Sequence, residues 1–185
     1  MQEMRVVAGF YKGRKLKSSD DLSIRPATDR VKEYIFNILR DFPKDQSAMD
    51  IFAGSGGLGI EALSRGASHI FFVEKAKSSI LILKKNLEHI GVPSDSYRIL
   101  QQDALDFVKR TKIKADLCFM DPPYNYPPLQ ELVDTFFKND LLNPDGILVL
   151  EHEISNPLAE QSEVYNIFSQ KKISRSLISF IEKKV

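Results

Sequence analysis

Asp50-Ile51-Phe52-Ala53-Gly54-Ser55-Gly56-Gly57-Leu58-Gly59 is the stretch that decides the fold. The apolar run Ala48-Met49-Asp50-Ile51-Phe52 reads as a strand, and Leu58 to Arg65 has helical spacing. Between them the glycines allow a tight turn in which backbone approaches a ligand closely, with a helix starting directly behind it. Outward from this turn the alternation repeats. His69 to Val73 is strand-like, and Ile80, Leu81, Leu83, Leu87 and Ile90 mark a helix that Gly91 ends. Tyr97 to Leu100, Ala104 to Val108, Asp116 to Met120 and Leu129 to Phe137 continue the pattern, closed by a turn at Asn143-Pro144-Asp145-Gly146. Ile147 to Leu150 is the unbroken apolar run of a strand covered on both faces. Val164 to Gln170 and Leu177 to Ile181 read as strands with no helix between them, an antiparallel finish. The expected class is α/β, a doubly wound and mostly parallel sheet.

The chain holds 185 residues, enough for one full sheet domain. Residues 47–185 are assigned to that domain and residues 1–46 to an N-terminal extension packed on it. Arg5 to Ala8 and Arg14 to Leu16 pair as a hairpin around Gly9 to Gly13, and a helix capped by Thr28 or Asp29 runs to Leu39. The net charge of +1 conceals a division. Residues 1–40 carry nine basic and five acidic side chains (+4), residues 41–162 twelve and eighteen (−6), and residues 163–185 five and two (+3). Basic ends around an acidic middle suit a polyanion partner, although lysine-rich termini also serve solubility alone. Cys118 is the one cysteine, so no intramolecular disulfide forms and a reducing compartment fits. No signal peptide and no apolar run of about 18 residues is present, so a cytoplasmic protein with no membrane partner is expected.

Ligands of such sheets sit at the carboxyl ends of the strands. Gly54, Gly56 and Gly59 satisfy G-x-G-x-x-G, and Glu74 ends the next strand, where a carboxylate can accept hydrogen bonds from two ribose hydroxyls. These features suit NAD and S-adenosylmethionine equally. Asp103 after the third strand either accepts from an adenine amino group or caps the helix at Ala104. Asp50, Ala53, Gly54, Ser55, Gly56, Gly59, Glu74, Asp103 and Ala104 are the candidate cofactor contacts.

Asp121-Pro122-Pro123-Tyr124, at the end of the fourth strand, separates the two cofactors. An exocyclic amino group on a base is a poor nucleophile because its lone pair is delocalised into the ring. Two acceptors aimed at its N–H bonds favour the tetrahedral nitrogen that attacks a methyl in line. The Asp121 carboxylate and the Pro122 carbonyl are those acceptors, fixed by consecutive prolines before reaction begins. Tyr124 offers a face on which a base stacks. Hydride transfer needs none of this, so S-adenosylmethionine is the expected cofactor, with Asp121, Pro122 and Tyr124 as catalytic candidates.

With these motifs the chain resembles the bacterial 16S rRNA (guanine-N2)-methyltransferases, the RsmD family. The resemblance rests on Met4 to Gly9 with Gly13 to Leu16, on Arg25 to Glu33 through Phe36-Asn37, on Asp50 to Gly59, on Glu61 to Arg65 and on Asp121 to Tyr124. It implies a class I methyltransferase fold, Rossmann-like, with seven strands of which the last is antiparallel. The implied substrate is the exocyclic N2 of one guanine in 16S rRNA, in the small-subunit head near the P site, within the small subunit or an assembly intermediate. Arg5, Lys12, Arg14, Lys15, Arg25, Thr28 and Arg30 are the candidate RNA contacts, with Phe10 and Tyr11 at the hairpin turn. Arg30 and Lys32 lie in reach of either RNA or the cofactor's carboxylate. Family members often carry phenylalanine at the position of Tyr124, and an acid where Lys75 follows Glu74, which leaves the ribose contact to Glu74.

Alternative readings are an amino methyltransferase on another RNA or DNA base, and an NAD-binding oxidoreductase using the same glycine loop. His69, His89 and His152 lack paired ligand spacing, so no metal is expected. A doubly wound domain with a basic extension can work as a monomer, and that state is expected.

Overall fold

The computed structural model describes residues 4–18, 28–40, 44–159 and 162–184. A short hairpin, β1 (Met4–Arg5) with β2 (Lys15–Leu16), pairs Met4 with Leu16 and is followed by α1 (Asp29–Leu39). Thr28 caps α1, its Oγ1 accepting from the Val31 N–H at 3.3 Å. Then β3 (Ser47–Ile51), α2 (Gly57–Ser64), β4 (His69–Glu74), α3 (Lys77–Ile90), β5 (Tyr97–Gln101), α4 (Ala104–Arg110), β6 (Ala115–Met120) and α5 (Leu129–Lys138) alternate. The chain finishes in β7 (Leu142–Glu153), β8 (Tyr165–Ile173) and β9 (Ser176–Lys183).

Seven strands form one sheet in the order β5-β4-β3-β6-β7-β9-β8. The pairings from β5 to β7 are parallel, and β9 runs antiparallel to both neighbours. Side chains alternate across a strand, so each strand feeds two cores. Ala48, Leu117, Phe119, Val149 and Phe180 pack with α1, α2 and α3 on one face. Met49, Ile51, Cys118, Met120 and Leu148 pack with α4 and α5 on the other. Both faces are covered, which is why the central strands are nearly all apolar. This is the doubly wound, mostly parallel sheet expected from the alternation, with the seven strands and antiparallel last strand that the resemblance implies.

The turn expected at Asn143–Gly146 is not a separate loop. It is absorbed into β7 as an irregularity, the register passing from Ala115 opposite Leu142 to Leu117 opposite Ile147. Asp145 takes a positive φ of 62° there, and Asn143 Nδ2 donates to Asp116 Oδ1 at 2.8 Å, so a side chain holds what the ladder drops.

The N-terminal hairpin and α1 share one apolar cluster with the sheet through Met4, Val6, Leu16, Val31, Ile35 and Phe36. A buried polar knot fastens them. Glu61 of α2 is wholly buried and accepts from the Val7 N–H at 2.8 Å, the Ala8 N–H at 3.0 Å and Arg65 Nε at 2.8 Å. Lys32 Nζ lies 3.9 Å from Glu61 Oε2 and donates to the carbonyl of Arg5. Burial lowers the Lys32 pKa, against the opposing pull of Glu61 and Asp29. Lys32 therefore reaches neither RNA nor cofactor; it neutralises Glu61 inside the protein. Gly9 completes the attachment, since a Cβ there would fall 1.8 Å from the Ser64 carbonyl oxygen that accepts from the Phe10 N–H.

Candidate active site

The carboxyl ends of β3, β4, β5, β6 and β7 open onto a cleft of about 820 Å³. Asp50, Ala53, Gly54, Ser55, Glu74, Asp103, Ala104, Asp121, Pro122 and Tyr124 all line it. Gly56 and Gly59 are set back from it. Gly59 serves packing: a Cβ there would stand 2.3 Å from Phe72 Cε1, so its absence lets α2 lie close against β4.

Each acid is held in its own way. Asp50 is buried and accepts the Gly59 N–H at 2.8 Å. Burial pushes its pKa up to about 7, against the Gly59 hydrogen bond and with help from the negative charge of Glu74. Glu74 accepts the Gly54 N–H at 2.8 Å on one oxygen and the Ala76 N–H at 2.7 Å on the other. A carboxylate oxygen accepts more than one hydrogen bond, so Glu74, which lines the cleft, has capacity left for ribose hydroxyls. Asp103 is the N-cap of α4, Oδ1 accepting from Leu105 and Asp106, while Oδ2 pairs with Lys75 at 3.2 Å. Partial burial raises its pKa, but the hydrogen bonds from Lys75, Asp106 and Leu105 outweigh this and hold it below the ordinary carboxylate range. The capping role of Asp103 is thus explicit, and it still lines the cleft.

Asp121 follows β6 directly. Burial, the nearby Glu151 and then Asp50 push its carboxyl well above its ordinary pKa. Pro122 is buried and Tyr124 stands 40% exposed at the cleft mouth. The carboxyls of Asp50, Glu74, Asp121 and Glu151 converge on the cleft, and those that are ionised favour a bound cation. A sulfonium cofactor with a ribose and an adenine fits this donor set: Glu74 toward the ribose, the Asp103–Ala104 segment toward the adenine, acids around the positive centre.

Several residues of the cleft escaped the sequence. Glu151 is the first polar residue after Ile147–Leu150, so it carries the same strand-end signal as Asp50 and Glu74. Phe52, at a positive φ of 67°, meets Tyr126 edge to face at 5.1 Å. The Tyr126 hydroxyl is pushed up to about 12 by burial and by Asp103, Glu131 and Asp106. Arg175 reaches the mouth from the β8–β9 turn.

The candidate RNA contacts divide. Thr28 lines the cleft. Arg5 is exposed and paired with Asp29 at 2.8 Å, and Arg30 is exposed on α1. Lys12, Arg14 and Lys15 are exposed on the hairpin, whereas Arg25 lies outside the described residues. The hairpin runs the length of α2, with Met4 beside Ser55 at the cleft end and Tyr11 bonded to Ser64 at the far end. Eight helical residues span about 12 Å, so Lys12 stands roughly that far from the glycine turn.

The family model described as conserved hypothetical protein 95 matches residues 4–182. The chain belongs to this family. A relative from Haemophilus influenzae named ribosomal RNA small subunit methyltransferase D is 37% identical over 84% of this chain and 82% of its own length. A protein of the same name from Escherichia coli is 33% identical over 84% of the chain and 78% of its own length. The solved structure of yhhF from Escherichia coli superposes with a TM-score of 0.87 at 28% identity, over 100% of this chain and 99% of that one. The resemblance drawn from the N-terminal segments and Asp121–Tyr124 therefore holds, and the fold is the methyltransferase fold. Among the described residues, no helix is long and apolar enough to cross a membrane.

The state of Asp50 has a measurable consequence. Its folded pKa of about 7 exceeds the ordinary 3.8, so between these values the folded protein holds a proton that the unfolded chain has released. Stability from this group falls as pH rises through that window and is level above it. Asp50→Asn keeps an acceptor for the Gly59 N–H without the charge. In cofactor-free protein the variant should gain on wild type between pH 5 and pH 8 by on the order of a few kcal/mol, at about 1.4 kcal/mol per unit. Thermal denaturation at the two pH values checks this; a difference independent of pH would contradict the buried, proton-holding Asp50.

Proposed function

We infer that this chain methylates rRNA, transferring a methyl group from S-adenosylmethionine to the exocyclic N2 of a guanine in 16S rRNA, in the small-subunit head near the P site, and that it works as a monomer. The observation that carries this reading is Asp121-Pro122-Pro123-Tyr124 at the mouth of a carboxyl-lined strand-end cleft, in a chain similar to proteins named ribosomal RNA small subunit methyltransferase D. When bound, S-adenosylmethionine supplies an electrophilic methyl on a cationic sulfonium. Glu74 holds the ribose and the Asp103–Ala104 turn borders the adenine. The carboxyls of Asp50 and Glu151 favour positive charge in the cleft to the extent that they are ionised. Tyr124 receives the base, and Asp121 and the Pro122 carbonyl accept from its amino N–H bonds, aiming the nitrogen lone pair along the line of attack. The proton displaced from the methylated nitrogen leaves toward Asp121 or water. The hairpin residues Lys12, Arg14 and Lys15 contact phosphates remote from the target base, giving salt-sensitive affinity with little sequence preference.

The test is methyl transfer from labelled S-adenosylmethionine to small subunits, partly assembled particles and bare 16S rRNA from cells lacking the endogenous activity, followed by nucleoside analysis. Labelled N2-methylguanosine in one acceptor is the expected result; label in another methylated nucleoside would refute the guanine reading. Tyr124→Ala should raise KM for the RNA acceptor about 5- to 150-fold, since base stacking contributes about 1–3 kcal/mol, and should leave cofactor affinity nearly unchanged. Cofactor titration by calorimetry checks the second half: a large loss there would remove Tyr124 from the base-binding role.

A further inference from the structure

Three segments meet at the cleft mouth, and one of them spaces the other two. Asn156 Nδ2 donates to the Tyr126 carbonyl at 3.0 Å, fastening the loop that carries Tyr124. The Ile154 N–H donates to the Arg175 carbonyl at 3.2 Å, fastening the β8–β9 turn, where Ser174 holds a φ of 57°. His152 anchors this intermediary from below, one ring nitrogen 3.0 Å from the Asn156 carbonyl oxygen and the other 3.0 Å from Ser179 Oγ. The backbones of the Tyr124 loop and of Arg175 are thereby held relative to each other before any substrate arrives.

Both side chains are exposed and both line the cleft. The Arg175 guanidinium carbon lies 5.9 Å from the centroid of the Tyr124 ring. Stacked planes sit about 3.4 Å apart, the rise per base along a nucleic-acid strand, so a flat ring held between two others needs roughly 7 Å. This atom-to-centroid distance is longer than direct stacking and about 1 Å under the width of a filled sandwich, and a long exposed arginine reaches the parallel, wider arrangement by side-chain rotations. A guanidinium is planar and delocalised, and it stacks on bases as aromatic rings do.

We propose that Arg175 is the second wall of the base slot: the target base enters between the Tyr124 ring and the guanidinium plane of Arg175. This rests on the reading that a base stacks on Tyr124. A slot with two walls fixes the plane of the base, and hence the direction of the amino group toward Asp121, where one wall would leave it free to tilt. Arg175 is then a substrate-positioning residue acting through its flat face and not through its charge.

Labelled methyl transfer to small-subunit particles from cells lacking the endogenous activity, run over a salt series with wild type, Arg175→Ala and Arg175→Lys, tests this. Arg175→Ala should raise KM for the particle about 10-fold, with affinity for S-adenosylmethionine unchanged by calorimetry. Arg175→Lys should not restore KM, because an ammonium has no plane to stack. The slope of log KM against log salt should match wild type. Rescue by lysine, or a slope lower by about one, would overturn the proposal in favour of a phosphate contact. An unchanged KM in Arg175→Ala, or a loss of cofactor affinity, would overturn it as well. Failure of the wild type to label any particle would instead refute the base-stacking reading beneath it.

Discussion

Asp121→Ala lowers turnover about 10²–10³-fold, the cost of losing one preorganised hydrogen-bond partner of the reacting group. The variant keeps the Pro122 carbonyl, the Tyr124 face and the cofactor contacts of Glu74, so single-turnover rates should fall while S-adenosylmethionine affinity changes little. The wild-type pH profile belongs to the same prediction. Burial, Glu151 and Asp50 hold the Asp121 carboxyl well above its ordinary pKa. The ionised form is the better acceptor, so kcat/KM of the free enzyme should climb with pH above the usual carboxylate range, and Asp121→Ala should lose that limb. Near-normal turnover in the variant would show that the amino group is oriented without Asp121.

The second large effect is on stability. Glu61→Ala should cost about 3–5 kcal/mol, the range for removing one partner of a buried ion pair. It strands the buried Lys32, frees Arg65 and leaves the Val7 and Ala8 amides without their acceptor. At about 2–4 °C per kcal/mol for a chain of this size, Tm should fall by about 6–20 °C. Urea denaturation followed by circular dichroism would show a lower midpoint at an unchanged slope. Glu61→Gln combined with Lys32→Met removes both charges but keeps an acceptor oxygen for only one of the two amides, and should recover part of the loss. A loss below about 1 kcal/mol in Glu61→Ala would mean that apolar contacts alone fasten the hairpin.

Much of this site was readable because its signals are local. Strand-end acids follow apolar runs, and proline pairs announce their own rigidity. Glu151 obeys the same rule, but β7 continues to Glu153 without a turn to mark the end. Lys32 was legible too, falling on the buried face of α1 with Ile35, Phe36 and Leu39, but its residue type argued for solvent. Asp103 carried two local signals, and the geometry makes the capping explicit while leaving the residue at the cleft.

The sequence by itself determined the alternation of strands and helices, the glycine turn and the strand-end position of Asp121 to Tyr124. Those features depend on backbone preference and side-chain period within a few residues. Only the tertiary structure decided that β9 lies between β7 and β8, that Glu61 neutralises Lys32, that the hairpin tip stands a helix length from the cleft, and that Arg175 faces Tyr124. Each of these joins residues distant along the chain. Such meetings are set by which apolar faces must be covered and which buried charges must be matched, conditions that exist only once the layers have packed.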